Sequence, residues 1–220
     1  PKNKFRFVYV DKYFGKGSGL GYSILACKEF LQCPFIFSPN DSIVSNEIPL
    51  PDSNWLGFSN TELNNQYRSL KINNDYVEKI LEKDEIVSSC QKPYIGLAGI
   101  KDYKYFWDFM EKGKEYGAIS IGESYAIGKC LEIEKRFKAI KFEWFDTGNL
   151  NSLQIAKKQF SSTNAPQILD KPNEAIWFVN ESVIKFHVDT KFIQNRVKRT
   201  ELLDFYCPPI TAKTKNMYSY

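Results

Sequence analysis

Alternating hydrophobic and polar positions predict that strands and helices follow one another along the first part of the chain. Residues 5–10 combine aromatic and β-branched side chains in the alternating pattern of a strand. A glycine-rich turn at residues 15–21 follows, and apolar residues at helical spacing then predict a helix over residues 24–31. A short apolar strand at residues 34–38 ends in a polar loop, so this order predicts a βαβ unit with polar groups at the carboxyl end of a strand.

The stretch from residue 55 to residue 160 continues the mixture of strands and helices, and it predicts an α/β fold. The expected elements are strands at residues 55–58, 67–71, 76–81, 94–100 and 138–142, helices at residues 103–112 and 120–131, and a turn at residues 144–148. A last helix runs to residue 160, and either Asn149 or Asn151 could cap its start.

The composition of the sequence and its predicted elements change after residue 160. Residues 161–166 are polar and end in proline, which is typical of a linker. Two strands at residues 175–179 and 182–188 follow, joined by Asn180-Glu181 as a hairpin turn, and a basic amphipathic helix is expected at residues 192–205. We therefore expect a domain at residues 1–162, a linker at residues 163–170 and a small β-rich lobe at residues 171–220.

Composition excludes several classes of protein. No run of about eighteen apolar residues occurs, so we expect no transmembrane helix and no membrane insertion. The five cysteines are odd in number and lack Cys-x-x-Cys spacing, which argues against a disulfide framework and favours the reducing cytoplasm. Because His187 is the single histidine, a histidine-rich metal site is excluded as well.

The net charge is mildly positive, since 30 Lys and Arg against 26 Asp and Glu give +4. A dedicated nucleic-acid binder usually carries a larger positive charge. A binding site for phosphorylated small molecules is also compatible with a net charge of this size. The chain opens with Pro1 rather than methionine, so we interpret it as part of a longer protein.

Four acidic or basic residues at strand ends are candidates for chemistry, and each has a simpler explanation. Asp41 and Asp146 each follow a strand, where open α/β sheets place metal-binding or catalytic carboxylates, but either could merely form a turn. The two would meet at one metal ion if their strands are neighbours. Glu82 and Lys83 could contact hydroxyls and a phosphate, although adjacent opposite charges are more often simply solvated.

The glycine-rich turn is a candidate binding loop. Glycine has no Cβ, so backbone N–H groups there can approach a ligand closely. The turn fits neither the dinucleotide pattern G-x-G-x-x-G nor the P-loop pattern, and a flexible surface turn explains it equally well.

Five segments follow one another in an order that resembles a known family. They are Gly19-Leu20-Gly21, Pro34-Phe35-Ile36-Phe37-Ser38-Pro39-Asn40-Asp41, Val77-Glu78-Lys79-Ile80-Leu81-Glu82-Lys83, Tyr94-Ile95-Gly96-Leu97-Ala98-Gly99 and Trp144-Phe145-Asp146-Thr147-Gly148 with a following helix. Over residues 1 to about 160 the chain resembles the sugar-phosphate nucleotidyltransferases, a superfamily that includes the phosphocholine cytidylyltransferases. The resemblance implies a three-layer, Rossmann-like nucleotide-binding core with a mixed sheet.

The resemblance also implies roles for individual residues. It implies that Asp41 and Asp146 are the catalytic carboxylates and hold Mg²⁺ on the phosphates of a nucleoside triphosphate, with CTP favoured. Ser18 and Gly19 would border the nucleotide together with Asp41. Three residues would contact a phosphorylated small-molecule acceptor, namely Glu82, Lys83 and Gly99. In the implied reaction the acceptor phosphate attacks the α-phosphorus in line and pyrophosphate leaves.

One part of the family pattern is absent from the sequence. Family members begin with a strand and a glycine-rich loop whose Arg and Lys surround the triphosphate, and no such segment occurs here. We expect the missing segment to precede Pro1 in a longer chain.

The end of the chain shows a second resemblance, to the N-terminal lobe of choline-kinase and aminoglycoside-phosphotransferase-type enzymes. It rests on the two strands before residue 188, the basic helix with Asn195-Arg196-Val197-Lys198-Arg199, and the segments around Pro208-Pro209 and Met217. It implies that Lys185 pairs with the ATP phosphates and also with Glu201 of the helix. An exposed strand lysine and a helix-surface acid are the simpler explanations.

The two resemblances together suggest a kinase fused to a nucleotidyltransferase. Such a fusion favours a phosphocholine-like acceptor and the decoration of surface polysaccharides or lipids. The alternatives are a catalytically inactive nucleotide- or sugar-phosphate-binding module, a fragment of such a bifunctional enzyme, and a nucleic-acid surface. The last would use Lys191, Arg196, Lys198 and Arg199 with the neighbouring Phe192 and Tyr206, but the kinase-like lobe explains this helix better, so we expect no nucleic-acid partner.

Overall fold

The computed structural model describes residues 5–61, 66–83, 85, 91–161 and 166–220. The chain forms two compact units, one over Pro1–Ala156 and the other over Lys157–Tyr220. Each unit has its own sheet, and each is described separately below. No helix in the described part of the chain is long and apolar enough to cross a membrane.

The first unit is built on a six-stranded sheet with helices at its side. Its strands are β1 (Phe35–Phe37), β2 (Ser42–Val44), β3 (Trp55–Phe58), β4 (Ser69–Asn73), β5 (Tyr76–Leu81), β6 (Gln91–Ile100), β7 (Lys138–Lys141) and β8 (Trp144–Asp146). Its helices are α1 (Leu20–Ala26), α2 (Tyr103–Lys112), α3 (Ala118–Ile121), α4 (Glu123–Glu132) and α5 (Leu150–Phe160), the last of which runs across the boundary between the units.

The strand order of the large sheet is β1-β6-β3-β7-β5-β4. β3 and β7 run parallel, whereas β6 is antiparallel to both β1 and β3, so the predicted mixed sheet is confirmed. Neighbouring strand residues point to opposite faces. Accordingly, Leu56 and Ala98 pack among the helices, whereas Trp55 and Leu97 belong to a second buried cluster on the other face.

A two-stranded ribbon covers that second face. β2 and β8 pair antiparallel, and Val44 and Trp144 pack on the cluster that contains Trp55. The prediction of a turn over residues 144–148 was therefore wrong for its first three residues, which form β8. The ribbon joins two segments about a hundred residues apart, a pairing that local sequence patterns do not reveal.

Among the other predicted elements, one strand is not formed, one helix is broken, and the helix over residues 24–31 and the strand over residues 67–71 are shifted to Leu20–Ala26 and Ser69–Asn73. Residues 5–10 form no strand, because an alternating pattern makes a strand only where another strand pairs with it. The side chains of Phe5, Phe7 and Tyr9 are accordingly exposed. The predicted βαβ unit consequently lacks its first strand in the described residues. The helix predicted over residues 120–131 is broken by Gly122, whose φ of 85° is left-handed, and α4 begins directly after it.

The second unit consists of a five-stranded antiparallel sheet and one helix. Its elements are β9 (Gln167–Lys171), β10 (Glu174–Val179), β11 (Ser182–His187), α6 (Thr190–Leu202), β12 (Ala212–Lys213) and β13 (Met217–Ser219), and the strand order is β12-β13-β11-β10-β9. The predicted hairpin is confirmed, with Asn180 in the left-handed region at φ 53°. Ile193 and Val197 of α6 pack against Tyr218.

The linker predicted over residues 163–170 can be compared with the structure only from residue 166 onward. Residues 162–165 lie outside the described residues, and β9 already begins at Gln167 and pairs with β10. The basic helix ends at Leu202, three residues earlier than predicted.

Candidate functional site

The β2–β8 ribbon brings the two predicted aspartates together. Ser42 pairs with Asp146, and the N–H of Thr147 donates to the carbonyl of Asp41 at 2.8 Å. A Cβ atom added to Gly148 would lie 2.9 Å from Asp41 Oδ2 and 3.2 Å from Asp146 Oδ1. The two carboxylates therefore converge on one small volume beside a residue that has no side chain.

Three hydrogen-bond donors hold the Asp146 carboxylate. The N–H of Gly148 donates to Oδ1 at 2.9 Å, and Oδ2 accepts from Tyr67 Oη at 2.8 Å and from Asn149 Nδ2 at 3.0 Å. Asn149 also accepts from the N–H of Ser152 at 3.0 Å, so it caps α5 as one of the two predicted alternatives. Partial burial, together with the hydrogen bond to Asp146, raises the pKa of Tyr67 to about 12.

A cavity of about 380 Å³ opens beside these carboxylates. Charged, aromatic and amide side chains from widely separated segments line it, namely Asp41, Tyr67, Arg68, Lys83, Tyr94, Glu123, Trp144, Asp146 and Asn149. Gly96, with φ 77°, lies in the wall, where an added Cβ would come within 3.0 Å of Pro39.

Arg68 lies between two carboxylates at this cavity. Its Nε donates to the Glu82 oxygens at 3.0 and 3.1 Å, and its Nη2 donates to the carbonyl of Ile121 at 3.1 Å. The same guanidinium acts on Glu123, where it partly offsets the burial that raises the pKa of this carboxyl. Burial and the nearby Glu123 raise the pKa of Tyr94 well above its usual range.

Glu123 is a buried carboxylate in the cavity wall. Its residue is only 3% exposed. Within ordinary distance and angle limits, neither its Oε2 nor the Tyr94 hydroxyl makes a hydrogen bond to any described residue. The Tyr94 hydroxyl nevertheless lies close enough to interact with this carboxylate, and it lowers the pKa of Glu123 against the larger effect of burial.

The predicted acceptor residues are separated by the fold. Lys83 lines the cavity, and Glu82 pairs with Arg68 just beside it. Gly99 does not line the cavity; an added Cβ there would lie 2.1 Å from Trp55 Nε1, so this glycine makes room for the indole in the core. Gly96, three residues earlier on β6, lines the cavity instead.

The predicted nucleotide-binding glycines have a packing role in the structure. An added Cβ on Gly19 would lie 2.4 Å from the carbonyl of Ile119, and one on Gly21 would lie 1.9 Å from that of Ala118. Ser18 Oγ donates to the carbonyl of Gly15 at 2.7 Å. These glycines let α1 approach α3 closely, and neither they nor Ser18 line the cavity.

The two carboxylates fit a magnesium ion. No group of three or more His, Cys, Asp or Glu that could hold a metal occurs among the residues that the structure describes. Mg²⁺ is commonly bound by only one or two carboxylates, with substrate phosphates and water as the remaining ligands. Asp41 and Asp146, whose oxygens converge at Gly148, form such a pair.

The second unit does not join the residues predicted to pair there. Lys185 on β11 forms an ion pair with Glu174 at 3.7 Å, and Glu201 on α6 forms one with Lys213 at 3.3 Å. No ion pair within 4.0 Å joins Lys185 to Glu201, both of which lie in the described part of this unit. The ring of Phe192 lies 5.9 Å from Lys185 Nζ instead.

Sequence reasoning missed several cavity residues. Tyr67, Arg68 and Glu123 belong to no short motif, and Glu123 is far along the chain from the adjacent Tyr67 and Arg68. The only local signal was the glycine at position 122, which ends one helix and leaves Glu123 as the first residue of the next.

Comparison with known proteins identifies the fold. No protein-family model matches the sequence, and no curated protein matches it. Solved structures do match. A proposed glucose-1-phosphate thymidylyltransferase from Bacillus anthracis, in complex with sucrose, matches with a TM-score of 0.54 and 17% identity over 70% of this chain. The fold is that of a nucleotidyltransferase.

Two further structures of this fold are similar to the chain. The CTP:phosphocholine cytidylyltransferase LicC from Streptococcus pneumoniae matches with a TM-score of 0.56 and 15% identity over 71% of this chain. An apo UDP-glucose pyrophosphorylase matches with a TM-score of 0.50 and 16% identity over 66%. The matches span 65%, 69% and 63% of the three neighbours' own lengths. At identities this low, the structural similarity establishes the fold of the chain alone.

Proposed function

We propose that the protein is a nucleotidyltransferase that transfers a nucleoside monophosphate from a nucleoside triphosphate to a phosphorylated small molecule. The observation that carries this proposal is the convergence of Asp41 and Asp146 on Gly148, at the edge of a cavity that Lys83 also lines. The nucleotidyltransferase fold supports it.

The reaction needs charge neutralisation and alignment more than covalent chemistry by the protein. An acceptor phosphate oxygen forms a bond to the α-phosphorus, the bond from that phosphorus to the bridging oxygen breaks, and pyrophosphate leaves with the electron pair. Mg²⁺ held by Asp41 and Asp146 would neutralise phosphate charge there. Tyr67 and Asn149 hold the Asp146 carboxylate in one orientation, and Lys83 offers an ammonium group to the acceptor phosphate.

Pyrophosphate release by the full-length native protein tests this proposal. The protein would be incubated with Mg²⁺, each of CTP, UTP, dTTP, ATP and GTP, and either phosphocholine or glucose 1-phosphate. We expect release with at least one pair of substrates, and its loss in D41N and D146N. D108N, which removes an exposed charge on α2, is the matched control.

An inactive binding module would give a different result. It would release no pyrophosphate with any pair of substrates, and its affinity for nucleotides would not depend on Mg²⁺ in calorimetry. That outcome would refute the proposed function.

The finer parts of the proposal concern substrate and setting. We favour CTP as the nucleotide and Glu82 and Lys83 as residues near the acceptor; Ser18, Gly19 and Gly99 do not line the cavity and are left out of this proposal. We further propose a cytoplasmic protein that activates groups for surface polysaccharides or lipids. The ranking of nucleotides in the same assay tests the preference for CTP.

For the second unit we propose a kinase-like N-terminal lobe. The observation that favours it is a five-stranded antiparallel sheet in which Lys185 lies on the strand just before the single long helix. Phosphorylation of choline or ethanolamine by the full-length protein with ATP, and its loss in K185M, would support this proposal. Unchanged phosphorylation in K185M, or none in the wild type, would refute it.

A further inference from the structure

The basic helix of the second unit borders a cavity that neither proposed function uses. α6 carries four basic residues and one acidic residue. Two of the four, Arg196 and Arg199, line a cavity of about 250 Å³ between this helix and residues 207–220. They are three positions apart, so their side chains lie on the same side of the helix. Lys191 and Lys198 do not line the cavity.

Neither arginine of the cavity has an acidic partner. The Cζ atom of Arg196 lies 4.9 Å from the centroid of the Phe192 ring, and this contact holds the side chain in place. Within the described part of the chain, neither guanidinium forms a hydrogen bond or an ion pair. The nearby acid Glu201 pairs with Lys213 instead, at 3.3 Å. Two guanidinium groups at one cavity are therefore available to an anion.

The other walls of the cavity are aromatic and apolar. Tyr218 is only 9% exposed, and its ring stacks on that of Tyr220 with centroids 5.9 Å apart. Burial and the neighbouring Tyr220 raise the pKa of the Tyr218 hydroxyl, and the positive charge of Arg199 opposes this rise. Pro208 and Ile210 add apolar surface. A ligand with an anionic end and a carbon end fits these walls.

The charge and the size of the cavity favour one class of ligand. The planar guanidinium fork matches the geometry of phosphate, to which it can donate two parallel hydrogen bonds. A volume of about 250 Å³ lies below the usual range for drug-sized ligands, so the carbon portion must be small. A nucleic-acid strand needs a groove that follows several successive phosphates, which two arginines at a single cavity do not provide.

We propose that Arg196 and Arg199 bind the phosphate group of a small phosphate monoester, whose carbon portion lies against Tyr220 and the apolar wall. The site lies wholly within the second unit. It therefore does not depend on the nucleotidyl transfer proposed for the first unit.

Calorimetry on the full-length protein, without nucleotide or Mg²⁺, tests this site with phenyl phosphate and inorganic phosphate as probes. We expect phenyl phosphate to bind with a Kd of about a millimolar or tighter. Inorganic phosphate should bind more weakly, because it lacks the carbon portion. Equal or tighter binding of inorganic phosphate would overturn the assignment to a monoester, and absence of saturable binding by either probe would overturn the site itself.

Substitutions on the helix locate the bound phosphate. Arg199→Met should weaken the binding of phenyl phosphate by about tenfold to a hundredfold, because it removes charge-assisted hydrogen bonds. Arg199→Lys should recover only part of this loss, since an ammonium group keeps the charge without the fork. The matched control is Lys198→Met, which removes an equal charge at the neighbouring position outside the cavity and should change the Kd by less than about twofold. Equal losses in Arg199→Met and Lys198→Met would indicate general electrostatic attraction and refute the site.

Cys207 offers a readout that needs no substitution. It lines the same cavity and has a free thiol, so phenyl phosphate at ten times its Kd should slow alkylation of this residue by iodoacetamide about tenfold. Cys33, an exposed free cysteine of the first unit, is the internal control and should react at an unchanged rate. Mass spectrometry of the peptides measures the two rates separately. Unchanged alkylation of Cys207 at a saturating probe concentration would place the bound phosphate elsewhere and refute the proposal.

A single-stranded oligonucleotide tests the competing explanation of the basic helix. Binding that weakens steeply with salt, and that depends on Lys191 and Lys198 as much as on Arg199, would identify a nucleic-acid surface and overturn the proposal. Neither result bears on the proposed nucleotidyl transfer, which pyrophosphate release measures independently.

Discussion

Two pairs of charged residues, one in each unit, were predicted from short motifs to act together, and only one pair meets. Asp41 and Asp146 converge on Gly148, although 104 residues separate them along the chain. Only 15 residues separate Lys185 from Glu201, and each forms its ion pair with a different residue.

The difference lies in what positions each pair. Antiparallel pairing of β2 with β8 places Ser42, the residue after Asp41, opposite Asp146. Strand register is strongly specified, so the backbone positions of the two aspartates have little freedom. Lys185 lies on a strand and Glu201 near the end of a helix, and long side chains there pair with whichever opposite charge is nearest. Backbone pairing therefore makes a motif reliable, whereas proximity along the chain does not.

The largest expected effect comes from removing either aspartate. Asp41→Asn or Asp146→Asn should lower kcat/KM for pyrophosphate release by about a thousandfold or more, because each removes a hard oxygen ligand for Mg²⁺. Lys185→Gln and Glu201→Gln should leave this activity within about twofold, since they lie in the other unit. Retained transfer in both aspartate variants would show that the convergence has no catalytic role.

A smaller effect is expected from filling the space between the carboxylates. Gly148→Ala places a methyl group 2.9 Å from Asp41 Oδ2, so we expect Mg²⁺-dependent activity to fall by about tenfold to a hundredfold. Gly148 has no positive φ, so the backbone should accept alanine.

The control for this variant is Gly128→Ala, inside α4, where an added Cβ meets nothing within 4 Å. It should raise the free energy of unfolding by up to about 1 kcal/mol and leave activity unchanged. Equal activity of the two variants would contradict a metal site at Gly148.

Loss of the Tyr67 hydroxyl should weaken the aspartate site without abolishing it. Tyr67→Phe removes the hydrogen bond to Asp146, and we expect a loss of about 1 kcal/mol in unfolding free energy with a several-fold lower kcat. The pKa of Tyr67 is raised from 10.0 to about 12, so the folded state keeps its proton longer than the unfolded chain. The stability difference between wild type and variant should therefore be constant below pH 10 and shrink from pH 10 to 12, as measured by denaturant titration.

The smallest effect concerns the second unit. A double-mutant cycle should show energetic coupling between Lys185 and Glu174, the partners 3.7 Å apart, and none between Lys185 and Glu201. Chemical denaturation of the single and double variants gives both values. Coupling only between Lys185 and Glu201 would reverse the comparison and favour the kinase-like pairing.

The sequence predicted the fold best where structure depends on nearby residues. The helix Tyr103–Lys112 has the predicted bounds, because one apolar face is repeated within the helix itself. Residues 5–10 carry an equally clear pattern, but a strand also needs a partner, which the pattern does not contain. The break at Gly122 depends on a left-handed backbone that periodicity does not reveal.

The candidate site was predictable only where a motif marks it. Asp41 and Asp146 each lie in a recognisable segment, and the structure brings them together. Tyr67, Arg68 and Glu123 reach the cavity from two separate segments, and their importance follows from burial and pairing that exist only in the folded chain.

The buried Glu123 has a consequence for folding thermodynamics. Burial raises its pKa above the model-peptide value of 4.5, so the folded state binds this proton more tightly than the unfolded chain does. Stability from this group is then greatest below pH 4.5 and falls as the pH rises through the folded-state pKa.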